Sequence, residues 1–283
     1  MNMERIDSHQ HFWNYHPSKH VWMNDDMTVL KKDYGPGDLK PLLDSCNLQG
    51  CIAVQANQSE EENHFLLGLS KQSGIIKGIV GWVDLQATDV ADRLAFYQQF
   101  KLIKGFRHVI HDEPDINFML QPDFLKGIKT LKNFDYAYDI LIFHVHLKNI
   151  LELVKKNPEQ RFVIDHIAKP DIRNKKFDDP IAIGWKKDLS AVAAMPNVYC
   201  KISGMVTEAV WKGWKQDDFT FYMDAVVTMF GTDRIMYGSD WPVCTLSGSY
   251  AEVYNIVHDY FSAFTDTEQD NFFGKNAERF YKL

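Results

Sequence analysis

One alternation recurs eight times along the chain: a short run rich in Val, Ile and Leu, followed in most cases by a segment with apolar residues at helical spacing. The β-type runs cover residues 5–12, 50–57, 75–84, 103–109, 138–144, 161–166, 197–203 and 234–240. Several are continuous apolar stretches rather than strict alternations, which is how strands buried on both faces read. Between them, residues 38–46 carry Leu39, Leu42, Leu43 and Cys46 at helical spacing, with Asp38 as the expected N-cap. Residues 60–72, 147–156, 219–230 and 250–261 also read as amphipathic helices, the second with Leu147, Ile150, Leu151 and Val154 as its stripe. Eight such units in 283 residues is the arithmetic of a (β/α)8 TIM-like barrel. An open doubly wound sheet is the competing architecture, but no Gly-rich phosphate loop follows the first run. With no linker or low-complexity stretch in view, one domain spanning 1–283 is expected. Residues 14–37 and 171–180 read as long loops.

Charge and cysteine usage narrow the function classes. A net charge of -7 and a pI near 5.9 argue against nucleic acid or an anionic membrane as partner. No apolar run approaches the roughly 20 residues that span a bilayer, and no basic stretch followed by an apolar core opens the chain. Cys46, Cys51, Cys200 and Cys244 form no C-x-x-C pair and read as reduced, buried thiols. A cytoplasmic protein is therefore expected, and a homo-oligomer is compatible with these features.

In a barrel of this kind the site lies at the C-terminal ends of the strands. The polar residues there are His9 and His11, Gln55 and Asn57, Trp82 and Asp84, Arg107 and His108, His144 with His146 just beyond, Asp165 and His166, Lys201 and Ser203, and Ser239 and Asp240. Six of the eleven histidines fall in this set, more than a random scatter would place there. Side chains two apart on a strand share a face with Cα atoms roughly 6.5–7 Å apart, so His9 and His11 can grip one ion or form two walls of a polar pocket. The plain alternative is two ordinary histidines. His166 ends an apolar run just before Lys169-Pro170, and Asp240 sits in Tyr237-Gly-Ser-Asp-Trp-Pro242, a carboxylate held by a rigid turn. His108 and Asp84 read as structural hydrogen-bond formers, and Lys201 either pairs with a buried carboxylate or joins the site. Trp211 and Trp214 are candidate pocket walls. No G-x-S-x-G elbow is present, which argues against a serine esterase.

A set of strings runs through the whole chain in order. They are Ile6-Asp-Ser-His-Gln-His-Phe-Trp13, Val54-Gln55, Gly78-Ile-Val-Gly-Trp-Val-Asp-Leu85, Lys104-Gly-Phe-Arg107 and Phe162-Val-Ile-Asp-His-Ile-Ala-Lys-Pro170. Asn197-Val-Tyr-Cys-Lys-Ile-Ser-Gly204, Asp233-Arg-Ile-Met-Tyr-Gly-Ser-Asp-Trp-Pro-Val-Cys244 and Asn276-Ala-Glu-Arg-Phe-Tyr281 complete them. Together they resemble the amidohydrolase superfamily, in particular its sugar-lactone lactonase branch. The resemblance implies a (β/α)8 fold and hydrolysis of an L-fucono-, L-rhamnono- or related aldonolactone. It implies one divalent metal ion, with zinc expected, held by His9, His11, His166 and Asp240. Asp240 would act as base and then acid, with His166 beside it. Arg107 would stabilise negative charge or bind substrate. Gln55, Trp82, Trp241 and either His144 or His146 would contact the sugar. Two-metal members carry a lysine at the end of strand four, where this chain has Arg107-His108, so a second ion is not expected. A related pyrone lactonase works without metal, which keeps a metal-free route as the alternative. A metal-dependent decarboxylase and a non-catalytic sugar-binding barrel are the rival readings.

Overall fold

A computed structural model describes residues 4–174 and 177–283. Each of the eight apolar runs forms a strand: β1 (Ile6–Gln10), β2 (Gly50–Val54), β3 (Ile76–Gly81), β4 (Ile103–Val109), β5 (Ala137–Leu141), β6 (Phe162–Ile164), β7 (Val198–Ile202) and β8 (Ile235–Tyr237). They pair in parallel in the order β1 to β8. Backbone bonds from Asp240 N to His9 O (2.8 Å) and from His11 N to Trp241 O (2.7 Å) join the last strand to the first. The sheet thus forms the (β/α)8 barrel expected from the alternation. Most strands stop before the C-terminal ends of their sequence runs. The residues left over, among them His11, His166 and Asp240, lie beyond the ladder, where their side chains face the mouth.

The connecting helices are α1 (Pro36–Ser45), α2 (Glu60–Ser70), α3 (Val90–Tyr97), α4 (Pro122–Asn133), α5 (Leu147–Lys156), α6 (Pro180–Ala193), α7 (Met205–Glu208), α8 (Asp217–Phe230) and α9 (Tyr250–Phe261). The chain ends with α10 (Asp266–Asp270), a π turn over Asn271–Lys275 and α11 (Asn276–Tyr281). Two local expectations are corrected. Helix α1 starts after Gly35 with Pro36 in its first turn, a position suited to a residue that lacks N–H, and Asp38 instead accepts from Gly35 N at 2.9 Å. On α5 the fully buried stripe is Leu147, Ile150, Leu153 and Val154, while Leu151 is only partly covered. Helix α11 closes the N-terminal end of the barrel. Its Phe280 and Tyr281 pack with Ile6, Val54, Val80 and Met236 in an apolar cluster distinct from the main core.

The loop expected over 14–37 holds a 3-10 turn, Asp25–Leu30, and is pinned by backbone bonds between Trp13 and Tyr34. Of the loop expected over 171–180, Lys175 and Lys176 lie outside the described residues. Among the described residues no helix is long and apolar enough to cross a membrane.

Candidate active site

Three imidazoles and one carboxylate meet at the barrel mouth. Asp240 Oδ1 lies 3.9 Å from His9 Nε2, 3.4 Å from His11 Nε2 and 3.8 Å from His166 Nε2. All four residues are buried. Each imidazole is held from behind through its other nitrogen. His11 Nδ1 donates to Val54 O at 2.8 Å. His9 Nδ1 faces Asp165 Oδ1 at 3.2 Å. His166 Nδ1 pairs with Ser203 Oγ at 2.9 Å. A carbonyl oxygen can only accept, so His11 carries its proton on Nδ1 and turns the Nε2 lone pair toward Asp240. The Asp165 carboxylate favours the same tautomer in His9.

Burial pushes the His166 pKa down to about 4 and holds His9 well below its ordinary value, so both rings are neutral at pH 7. Burial by itself would raise the Asp240 pKa, but His166, His11 and His9 outweigh it and the carboxyl lies below its usual range. An ionised carboxylate and neutral imidazole lone pairs, aimed at one point, repel one another unless a cation lies between them. Ligand atoms about 2.0–2.2 Å from a tetrahedral ion lie about 3.3–3.6 Å apart; the His11–Asp240 distance of 3.4 Å matches, and those from Asp240 to His166 and His9, 3.8 and 3.9 Å, are slightly longer. The residues therefore fit one divalent ion, and His9, His11 and Asp240 form a compact ligand group, all buried. From β4, Arg107 brings Nη1 to 3.3 Å from His9 Nε2.

Arg107 is itself fixed by a buried network. Nη1 donates to Asp165 Oδ2 at 3.0 Å and Nη2 to Gln55 O at 2.6 Å, while Gln55 Nε2 donates back to Arg107 O at 3.3 Å. Lys201 Nζ reaches Asp139 Oδ2 at 2.5 Å, Asp165 Oδ1 at 3.1 Å and His9 Nδ1 at 3.1 Å. Tyr281 OH donates to Asp139 Oδ2 at 2.8 Å, tying the closing helix to the site. Lys201 thus pairs with two buried carboxylates and touches His9. Burial alone would raise the Asp165 pKa, but Lys201, His9 and Arg107 together outweigh it and hold the carboxyl well below its ordinary value.

The cavity above this floor has a volume of about 350 Å³. His11, Arg107, His166 and Asp240 line it, together with Trp13, Trp22, Met27, Trp211, Lys169 and Glu208. Trp211 was anticipated; Trp13, Trp22, Lys169 and Glu208 were not. Several expected contacts lie outside the lining. Gln55 is fully buried as a brace for Arg107. Trp82 Nε1 points at His108 Nδ1 at 3.4 Å. Trp241 packs edge-on against Phe12 and Tyr34. His144 donates to Lys169 O at 3.2 Å and His146 to Phe143 O at 3.1 Å. Across Trp13 a second hollow of about 490 Å³ has His20 and Glu62 in its wall. Those two groups are engaged by His16, Ala56 and Asn57, so they offer no comparable reactive cluster.

Backbone strain marks the same site. His166, Ile167, Ala168 and Lys169 have φ of 54°, 50°, 62° and 46°, a left-handed turn without glycine, and Asp240 has φ 58°. Left-handed residues cost roughly 1–2 kcal/mol each, so such a turn persists only where its surroundings over-determine it. Here Trp185 Nε1 donates to Ile167 O at 2.8 Å, Lys169 N to His166 O at 2.8 Å, and Ser203 Oγ accepts from His166 N at 3.3 Å. The turn aims both His166 and Lys169 into the cavity.

A family model described as "Amidohydrolase" matches residues 6–283. An L-fucono-1,5-lactonase of Burkholderia multivorans is 39% identical, covering 100% of this chain and 97% of that protein. An L-fucono-1,5-lactonase of Burkholderia ambifaria is 33% identical, covering 99% and 96%. A crystal structure of a Burkholderia multivorans amidohydrolase with bound zinc superposes with a TM-score of 0.94 at 38% identity, covering 99% of both chains.

Proposed function

The chain belongs to the amidohydrolase family, and from that premise we propose that it opens a sugar-derived lactone, an L-fucono-, L-rhamnono- or related aldonolactone, to the hydroxy acid. The observation that carries this reading is Asp240: an ionised carboxylate, backed by three imidazoles, on the floor of a cavity of sugar size. The Burkholderia lactonases, similar over their whole length, support the substrate class.

Lactone opening needs a nucleophilic water, a polarised carbonyl and a proton for the departing ring oxygen. Asp240 accepts the water proton as the new C–O bond forms. It returns that proton to the ring oxygen as the ester C–O bond breaks. Arg107, aimed by Asp165 and Gln55, stabilises the charge that develops on the carbonyl oxygen. His9, His11, His166 and Asp240 would hold one divalent ion, with zinc favoured by the nitrogen-rich set. Such an ion lowers the pKa of water toward about 7 and polarises a carbonyl. His166 orients Asp240, and Gln55 and His144 act on substrate through Arg107 and Lys169. Trp82, Trp241 and His146 shape the walls from behind. The whole chain, 1–283, works as one unit, and its four free buried thiols suit a reducing cytoplasm.

The test is a pH-indicator screen of aldonolactones, with and without a chelator. Acid release from at least one lactone, lost in Asp240→Asn, is the expected result. No acid from any lactone, or carbon dioxide as the product of an aromatic acid, overturns the reading. Full activity after rigorous chelation would assign the reaction to Asp240 and Arg107 alone.

A further inference from the structure

The cavity has two unlike walls. Loops after β1 and β8 contribute Trp22, Met27, Val243 and Leu246, which are apolar. The turn after β6 and helix α7 contribute Lys169 and Glu208, a charge pair with Nζ to Oε1 at 3.1 Å. The pair is about one-fifth exposed, at 19% and 20%, and both residues line the cavity. An apolar pocket with a few placed polar groups is the usual means of fixing a ligand's orientation.

We propose that Lys169 and Glu208 read two neighbouring hydroxyls of the lactone, and so decide which face of the ring meets Asp240. This rests on the lactonase reading above. An ammonium offers three donors and a carboxylate about four acceptor sites, more than their mutual bond uses. A hydroxyl that donates to Glu208 and a neighbour that accepts from Lys169 match two groups held at this spacing. The ring's C–H surface then lies toward Trp22 and Met27.

Lys169 is built for the task. It ends the left-handed turn that starts at His166, so one strained segment presents an imidazole beside Asp240 and the ammonium on the wall above. Its carbonyl accepts from His144 at 3.2 Å, and its ammonium lies 5.6 Å from the centre of the Phe143 ring. A lysine held at both ends loses little freedom on binding. A further acid–base pair in the lining, His111 Nδ1 with Asp112 Oδ1 at 2.9 Å after β4, is a poorer reader. Burial holds the His111 pKa near 3, so the ring is neutral, and Asp112 is mostly exposed.

The experiment is a cycle between protein and substrate. The wild type, Lys169→Met and Glu208→Gln are compared on a fully hydroxylated aldonolactone and on its monodeoxy analogues, with kcat/KM and Tm measured on each protein. In the wild type, removal of a read hydroxyl lowers kcat/KM about 10–100-fold, the scale of a hydrogen bond to a charged group. In each variant the intact lactone loses a similar factor, and the matching deoxy analogue loses little more. Equal penalties for every hydroxyl in all three proteins overturn the assignment, as does an equal loss on every substrate in the variants. Glu208→Gln keeps the shape of the side chain and carries the cycle if Lys169→Met proves unstable. A wild-type protein that opens no lactone overturns the lactonase reading and this one with it. An active wild type without coupling overturns only the pair.

Discussion

Replacement of Asp240 by Asn tests the centre of the site with the least change of shape. The carboxylate is 4% exposed, and its Oδ1 lies within 3.9 Å of three imidazole nitrogens. The amide fills nearly the same volume, so the cavity and its walls survive. It cannot take a proton from water, and the loss of a positioned base lowers kcat by about 10²–10⁴-fold. That factor is about 2.7–5.4 kcal/mol on the barrier. The amide also removes the repulsion between the carboxylate and the imidazole lone pairs, so the variant keeps a Tm close to wild type. At 25 °C the variant is still folded, so the kinetic loss is read on native protein. The assay compares kcat, KM, Tm and bound metal on the same preparations. A kcat close to wild type removes Asp240 from proton transfer and leaves His166 as the next candidate. Recovery of the rate on adding zinc would make Asp240 a ligand only.

Three further outcomes follow from the geometry. Gly204→Ala places a Cβ 2.5 Å from His166 Nδ1 at a residue with φ +62°; kcat falls on the order of 10²-fold through displacement of His166, and an alanine with unchanged kinetics refutes the packing described. On pH, His166 has a folded-state pKa of about 4 against an ordinary 6.5. The unfolded chain therefore binds the proton first. Stability is complete above pH 6.5 and is lost as pH falls to about 4, by roughly 3 kcal/mol at 1.36 kcal/mol per unit; a Tm that stays flat to pH 4 counts against a buried neutral ring. Lys201→Met leaves Asp139 and Asp165 without their shared cation and destabilises by about 3–5 kcal/mol in denaturant unfolding; wild-type stability in this variant refutes the network.

The barrel was legible because buried parallel strands must be apolar on both faces, and that demand writes eight unmistakable runs. His9, His11, His166 and Asp240 were legible because each ends such a run, where a polar residue has only the mouth to face. The side walls were harder. Trp82 and Trp241 follow β3 and β8 in irregular backbone, where no alternation in the sequence says which way a side chain turns, and Trp241 packs against Tyr34 instead of the cavity. The left-handed turn at 166–169 carries no glycine to announce it. Its one signal is Pro170, which disfavours the right-handed helical region for Lys169. The two buried aspartates of the network are single residues inside or just after apolar runs, and only the fold brings Asp139, Asp165 and Lys201 together. Trp13 and Trp22 reach the cavity through a long loop whose path depends on the pairing of Trp13 with Tyr34.

The network beneath the site explains how a guanidinium and an ionised carboxylate stay separate in one small cavity. Without it, the Arg107 guanidinium would be free to turn toward the Asp240 carboxylate. Asp165 prevents this by taking Arg107 Nη1 at 3.0 Å. Asp165 would then face Asp139 as a second buried carboxylate, and Lys201 lies between them at 3.1 Å and 2.5 Å. Two cations and two carboxylates thus balance below the floor, and Asp240 is left facing imidazoles alone. Buried ion pairs add little to stability against apolar packing, and the left-handed turn subtracts from it. Both devices are confined to the catalytic end, whereas the opposite end is closed by the apolar contacts of α11. The division follows the physics of the barrel: the core at one end supplies the stability that a charged, strained site at the other end consumes.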